Sequence, residues 1–541
     1  MEAKIVEAKR QNEREVLESV NIAVKSVCSL IEPTFGPLGK DRILYNKKEE
    51  YHQKKEEEII TNDGATILKN IKIDHPVVKI LIDVSIIQEK CVGDGTTGVF
   101  LLTGLLISKV EELARKYSIH KNKLIRSLEK CAHFCVEKIG EIETKLDIED
   151  PTKREETLKH VTSTSLSSKI LSSKIEKEKI GVIVSKCAKK LREANKKEND
   201  VDILCIEGQS VLNSEYLEGI CFKVPFVFAG HEQQPKLILN PRVILIDVEM
   251  EWKQIKENAK FELKQAKDFL SFVDQEKSFL LETLRYIEGK CDVVINSKSI
   301  GDFATQFFSE KGIACFGRIE EKEMQRVEVA LGVRRHSASF LSQESSLKIV
   351  SCDKFQVRKL GKHFHFIIKG QFKDNCGTVI LKSASRTIVE EVKRSFEDSL
   401  ACCLRILESP NIVYGGGCIE FQLSRMLQIK SMELQDSEQI VFYSFSEVLV
   451  EIVHILARNC ELDPVKNVSK LRQYYSTTEQ EALKPMGIFV SKEEMGSEDC
   501  IRNMEEMKVW EPSLLKRNAI QSATEAVCFV LSIDQIVINK L

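Results

Sequence analysis

Gly93-Asp94-Gly95-Thr96-Thr97-Gly98 is the stretch on which the fold of this chain turns. Behind it Val99, Leu102, Leu105, Leu106, Val110 and Leu113 recur at helical spacing, which predicts an amphipathic helix opening at the threonines. A helix start with free backbone N–H groups, two small hydroxyls and little side-chain bulk is a seat for phosphate. Asp94 adds a carboxylate able to hold a magnesium ion against such phosphates. The same residues also make an ordinary Asp/Gly helix cap. The stretch by itself leaves both readings open.

At 541 residues the chain exceeds what one hydrophobic core organises, so two to four domains are expected. Its formal net charge of −2 gives no global pull toward nucleic acid or anionic membrane, and neither is expected as a partner. The lysine-rich runs Lys47–Glu58 and Lys174–Lys179 carry interleaved glutamates and read as solvated surface. Met1–Glu15 is charged and lacks an apolar core, so no signal peptide is expected. The apolar run around Val99–Ile107 is too short to span a bilayer. The 17 cysteines form no CxxC pair, which argues against a structural zinc site. Cys131 with Cys135, and Cys402 with Cys403, sit in helical patterns as buried thiols of a cytoplasmic protein.

Working outward, the first 145 residues read as largely helical. Val16–Ser29 ends at the rigid loop Pro33–Gly39; the charged stretch Tyr45–Glu58 then leads to Asn62-Asp63-Gly64, a hairpin or strand-to-helix turn. Helices are expected over Val77–Glu89, after Asp94, and over Lys121–Ile142. Residues 146–200 are polar and read as helical. From Asp200 short β-type runs appear, at Ile203–Ile206, Val243–Val248, Asp292–Asn296, Ile313–Phe316, Leu347–Ser351 and Phe364–Ile368. A charged helical insertion, Trp252–Glu288, interrupts them. Helical patterning returns at Arg386, breaks at Val413-Tyr414-Gly415-Gly416-Gly417, and gives way to a final strand at Ile533–Ile538. Both ends are helical and the middle is α/β, as expected when one domain is inserted into another.

Together, Thr34-Phe35-Gly36-Pro37, Thr61-Asn62-Asp63-Gly64-Ala65-Thr66, Gly93–Thr97, Gly415-Gly416-Gly417 and Trp510-Glu511-Pro512 resemble the group II chaperonins, the family of the eukaryotic cytosolic complex and the archaeal thermosome. The order matches, and the resemblance covers almost the whole chain. The middle region resembles one subunit type of the eukaryotic complex, on Ala229–Pro235, Asn240-Pro241, Val248–Glu251 and Ser299–Phe308. The resemblance implies a multidomain α+β chaperonin fold. A mostly helical equatorial domain would comprise residues 1–145 and 406–541, and a small intermediate domain 146–208 and 377–405. An α/β apical domain, 209–376, would carry a helical protrusion near 252–288; Tyr45–Glu58 would be an enlarged equatorial hairpin. The implied function is that of an ATP-dependent subunit of a hetero-oligomeric double ring that encloses and folds cytoplasmic proteins. Its partners would be paralogous chains in two stacked eight-membered rings and unfolded clients, with actin and tubulin as candidates. ATP and Mg2+ are the implied cofactors. A chaperonin-like scaffold with weak or no hydrolysis is the competing reading, against which the joint retention of Asp63, Asp94 and Asp398 counts.

The resemblance also implies roles. Gly36, Pro37 and Gly64 would shape backbone around the nucleotide, Gly95, Thr96, Thr97 and Gly98 would donate to its phosphates, and Asp94 would ligate magnesium. Asp63 would orient the attacking water and Asp398 activate it; Lys169 would sense the γ-phosphate. Gly416 would pack on the ribose near Glu511 and Lys516. In Ile300–Lys311, Ile300, Phe303, Ala304 and Phe307 form an apolar stripe, and Asp302, Thr305, Gln306 and Ser309 a polar one. The polar stripe would face clients, unless this is an ordinary amphipathic surface helix. Three departures stand out from the family pattern. Lys382-Ser383-Ala384 replaces an Arg-Gly-Gly hinge, and Gly487-Ile488-Phe489 lacks a carboxylate expected near the adenine. Both chain ends are short, so a reduced inter-subunit strand is expected at the N-terminus.

Overall fold

The computed structural model describes residues 9–538 apart from 12, 51–52, 170–172, 225–231, 252–277, 279, 338–346, 371–376, 478–483 and 491–499. The chain divides into two compact units: Met1–Ala188 with Glu390–Leu541, and the inserted Lys189–Val389.

The first unit is helical. The helices of its N-terminal part are α1 (Glu13–Ile31), α2 (Gly64–Asn70), α3 (Pro76–Val92), α4 (Thr96–Tyr117), α5 (Lys121–Ile142), α6 (Pro151–Ser165) and α7 (Lys174–Glu193), the last running past the unit boundary. Sequence chemistry sets their ends. Pro76 opens α3, and Gly93 ends it in the left-handed conformation at φ +92°. On α5, Leu124, Leu128, Cys131, Cys135 and Ile139 recur every three or four residues, and all are buried. The strands of this part are β1 (Lys9–Gln11), the hairpin β2 (Arg42–Glu50) and β3 (Gln53–Thr61), and β4 (Thr144–Lys145). The Asn62-Asp63-Gly64 turn therefore joins a strand to a helix.

The inserted unit contains two sheets. The strands are β5 (Asp202–Glu207), β6 (Glu215–Lys223), β7 (Leu237–Leu239), β8 (Arg242–Asp247), β9 (Val293–Asn296), β10 (Ala314–Phe316), β11 (His336–Ser337), β12 (Val350–Ser351), β13 (Lys354–Leu360), β14 (His363–Lys369) and β15 (Gly377–Ser383). One sheet runs β10-β9-β8-β11 with β12 on β8; the other runs β5-β15-β6-β14-β13-β7. Phe222, Phe316, Phe355 and Phe366 pack in one apolar cluster, all nearly free of water contact. Helices α8 (Asp302–Glu310) and α9 (Glu321–Leu331), and a helical segment over residues 280–287, lie in the same unit. Most of the expected protrusion lies outside the described residues. Leu347–Ser351, read as one strand, contributes only Val350 and Ser351. Ser383, in the departed hinge triplet, ends β15 and accepts backbone bonds from Gly208 at 2.8 Å and Gln209 at 3.2 Å.

The chain then returns to the first unit. Helix α10 (Arg386–Glu408) begins before its boundary, and α11 (Cys418–Glu433), α12 (Asp436–Asn459), α13 (Pro464–Thr477) and α14 (Ser513–Ser532) follow. Strands β16 (Asn411–Tyr414), β17 (Met486–Ile488), β18 (Ile501–Asn503), β19 (Trp510–Pro512) and β20 (Ile536–Ile538) complete it. β16 lies between β19 and β4, β17 pairs with β18, and β20 pairs with β1. α12 is long and apolar enough to cross a membrane, but 72% of its apolar window is buried within the protein.

Candidate functional site

The starts of α2 and α4 meet at one cavity of 440 Å³ within the helical unit. Gly36, Pro37, Asp63, Gly64, Asp94, Gly95, Thr96, Thr97, Gly98, Lys169, Gly416, Glu511 and Lys516 all line it. Gly64 permits the junction: a Cβ there would stand 2.2 Å from Thr97 Oγ1. Asp63 is the N-cap of α2. Its Oδ1 accepts from the Ala65 amide at 3.3 Å, and its Oδ2 accepts from the Thr66 amide at 2.9 Å and hydroxyl at 2.7 Å. Asp94 Oδ1 accepts from the Gly95 amide at 2.6 Å.

Lys169 ties these acids together. Its ammonium is 2.5 Å from Asp398 Oδ2, and the two side chains are only 6% and 14% exposed. Burial opposes the lysine's charge, but Asp398, Asp94 and Asp63 together hold it charged, well above the usual lysine range. Burial drives the Asp398 carboxyl well up; Lys169 pulls it down, while Asp63 and Asp94 push it further up. Asp63 differs. Burial raises its carboxyl, but Lys169 and the bonds from Thr66 and Ala65 hold it below the ordinary range. Three carboxylates around one ammonium leave local negative charge, which suits a divalent cation. Among the described residues no three His, Cys, Asp or Glu side chains form a ready-made metal cluster.

The far end of the cavity is set by Gly416, at φ +67°. A Cβ there would lie 2.7 Å from Met504 Sδ and 2.8 Å from the Ile488 carbonyl oxygen. Lys516 sits 2.8 Å from Glu420 and 2.9 Å from Glu511. Its burial disfavours the charge, but the two carboxylates more than offset this and raise it. Ile488, Phe489 and Val490 supply apolar lining where the departed triplet falls. Trp510 joins the two ends: its amide donates to Thr164 Oγ1 at 3.2 Å, on the helix leading to Lys169.

Sequence reasoning missed Glu420 and also Glu391, a fully buried carboxylate on α10. Burial raises the Glu391 carboxyl despite Arg394, whose Nε lies 3.3 Å away. Glu391 stands seven residues before Asp398, hence on the same face of α10, the signal that could have found it; Glu420, on α11, carries no such signal.

The polar stripe of α8 needs correction. Asp302 and Gln306 are exposed and Ser309 is half-buried, but Thr305 is only 1% exposed. The buried face is Ala304, Thr305 and Phe308, one position out of phase with the expected stripe. Thr305 can turn inward because its hydroxyl donates to the Gly301 carbonyl at 3.0 Å within its own turn.

The TCP-1/cpn60 chaperonin family matches residues 27–541. T-complex protein 1 subunit eta of Tetrahymena pyriformis is 32% identical over 533 residues, which span 98% of this chain and 91% of that protein. The same subunit of Saccharomyces cerevisiae is 31% identical over 537 residues, 98% and 92% of the two chains. That of Encephalitozoon cuniculi is 30% identical over 534 residues, 98% and 97%. The eta type is the one that the middle region resembles.

Proposed function

This chain belongs to the TCP-1/cpn60 chaperonin family, and from that premise we propose that it is an ATP-hydrolysing subunit of a hetero-oligomeric cytoplasmic chaperonin. The observation that carries this reading is the gathering of Asp63, Asp94 and Asp398 around Lys169, of which all but Asp398 line a cavity bounded by helix starts. The amides of Gly95–Gly98 and the hydroxyls of Thr96 and Thr97 receive phosphate oxygens at the α4 N-terminus. Asp94 would hold a magnesium ion, which would neutralise phosphate charge. Asp63, kept anionic, orients the attacking water. Lys169 moves its charge toward the γ-phosphate, which releases Asp398 Oδ2. The raised basicity of that carboxylate suits it to take a proton from the water. Glu511 and Lys516 hold the sugar end beside Gly416.

Equatorial segments are proposed at 1–145 and 406–541, intermediate segments at 146–208 and 377–405, and the apical domain at 209–376. Asp302, Gln306 and Ser309 remain the candidates for polar contact with unfolded clients, among which actin and tubulin are to be tried. Paralogous subunits in two stacked eight-membered rings are the proposed neighbours. The test is native mass measurement of the complex from its own cell, with single-site hydrolysis followed in the same sample. A multi-chain assembly whose hydrolysis at this subunit collapses on Asp398→Ala is expected. A fully active monomer, or hydrolysis indifferent to that change, would overturn the proposal.

A further inference from the structure

Helix α10 presents Glu391, Arg394 and Asp398 at intervals of three and four, hence on one face. Asp398 belongs to the site already described. The other two reach the site by a different route, through Asp63. Arg394 Nη1 donates to Thr66 Oγ1 at 3.4 Å, and that hydroxyl donates to Asp63 Oδ2 at 2.7 Å. On the opposite side Thr61 Oγ1 accepts the backbone N–H of Asp63 at 3.0 Å. Among the described residues neither carboxylate oxygen of Glu391 accepts a hydrogen bond; its partner is Arg394, whose Nε lies 3.3 Å from Oε2. Asp63 is thus gripped by two threonines, of which Thr66 is tied to α10 through Arg394, itself held by Glu391. A fully buried carboxylate is a costly way to make a spacer, and an apolar residue would fill the space without desolvation.

We propose that Glu391 and Arg394 are positioning residues that lock the orientation of Asp63 to the seating of α10. The helix that brings Asp398 to the water thereby also aims Asp63, and the two carboxylates are assembled by one movement rather than two. This rests on the nucleotide-hydrolysis reading above.

The test uses the intact complex carrying variants of this chain. Azido-ATP, labelled on the α- or the γ-phosphate, is flash-crosslinked at successive times after mixing. The α label on this chain reports binding, and loss of the γ label reports its own hydrolysis. Glu391→Gln and Thr66→Val should each slow γ-label loss by about tenfold, the scale of a slightly misaimed group, with the α label unchanged. Thr66→Ser should restore the rate. In an Asp63→Asn background, which keeps the helix cap, neither change should slow hydrolysis further, because the effect runs through Asp63. Equal slowing in both backgrounds would overturn the proposal, as would loss of the α label on Thr66→Val alone. If the Glu391→Gln chain fails to assemble, the Thr66 pair decides by the same criterion. Absence of α label from the unaltered chain would overturn the nucleotide reading itself, and the positioning role with it.

Discussion

The helical unit and the inserted α/β unit differ in how much charge they withdraw from water. Beside its many buried hydroxyls and amides, the helical unit holds clustered ions: Lys169 with Asp398, Glu391 with Arg394, Lys516 between Glu420 and Glu511. In the inserted unit the buried polar groups are almost all amides and hydroxyls. Gln234 brackets Cys315, donating to its sulfur at 3.0 Å and accepting from its backbone amide at 3.2 Å. Asn296 donates to the Val248 carbonyl at 2.6 Å and accepts from the Val248 amide at 3.3 Å. Lys382, 3.6 Å from Glu215, is an ionic exception. Neutral amides complete a sheet edge and are satisfied when they have done so. Buried ions cost desolvation that mutual attraction seldom fully returns. A cluster of them, with carboxyls pushed apart in basicity, belongs where a charged ligand or a proton is handled.

That contrast can be broken most decisively at Asp398. Asp398→Ala should slow hydrolysis at this subunit by roughly a hundredfold or more, with nucleotide binding retained in a filter or crosslinking assay. Its counterpart Gln234→Ala should cost about 1–3 kcal/mol of stability in urea unfolding and leave hydrolysis alone. Loss of hydrolysis from Gln234→Ala would erase the distinction. Next in size is a pair of glycines. Gly416→Ala should destabilise by about 2–4 kcal/mol, because it adds overlap with Met504 and Ile488 to a left-handed backbone. Gly312, at φ +70° with nothing within 4 Å of a Cβ, should cost only about 1–2 kcal/mol as Ala. Equal unfolding midpoints would show that crowding at the cavity floor is irrelevant.

A pH experiment sharpens the ionic side further. Asp398 can take a proton only when ionised, so hydrolysis should fall as pH drops through its raised titration. Lys169 pulls that titration downward, so Lys169→Met should move the acid limb of the pH–rate profile to higher pH. An unmoved limb would detach Asp398 from the limb. The smallest effects are expected on α8. Gln306→Ala should weaken client capture without changing stability by more than about 0.5 kcal/mol. Thr305→Val should do the reverse, costing about 1 kcal/mol for the lost hydroxyl bond and leaving capture unchanged. Capture that follows Thr305 instead would reinstate the phase expected from sequence.

Much of the helical unit was legible because its signals are local and repeated. The stripe Leu124, Leu128, Cys131, Cys135, Ile139 and the punctuation at Pro76 and Gly93 define helices without reference to distant residues. Strands were read less well. β6 mixes Glu215 and Glu218 into an apolar run, and β13 alternates lysine and arginine with Phe355 and Val357, because each pairs on a sheet that long-range register decides. The cavity residues carried by glycine-rich motifs could be named from sequence. Glu391 and Arg394 lie in plain charged helical sequence, marked only by their spacing to Asp398, and Glu420 lies in an apolar stretch, marked by nothing; burial itself leaves no trace in the sequence. Thr305 was misplaced because a hydroxyl that bonds its own helix turns into the core as readily as it faces water.

The first and last strands of the inserted unit, β5 and β15, lie side by side in parallel, with Ile203 opposite Val379 and Cys205 opposite Leu381. This has a consequence for the order of events on the ribosome. The first half of the helical unit, ending at Ala188, lacks its second half until synthesis passes Glu390. At usual elongation rates that is a wait of roughly 10–40 s. During it the N-terminal helices expose faces meant for α12 and α14. The inserted unit can fold within the interval, and pairing β5 with β15 draws the two severed ends together. The loop closure that would otherwise span some two hundred residues is thereby reduced to a short one. A chain whose β5–β15 pairing is weakened should therefore suffer first as a nascent chain, in yield and in its demand for other chaperones, before any loss is seen in the finished protein.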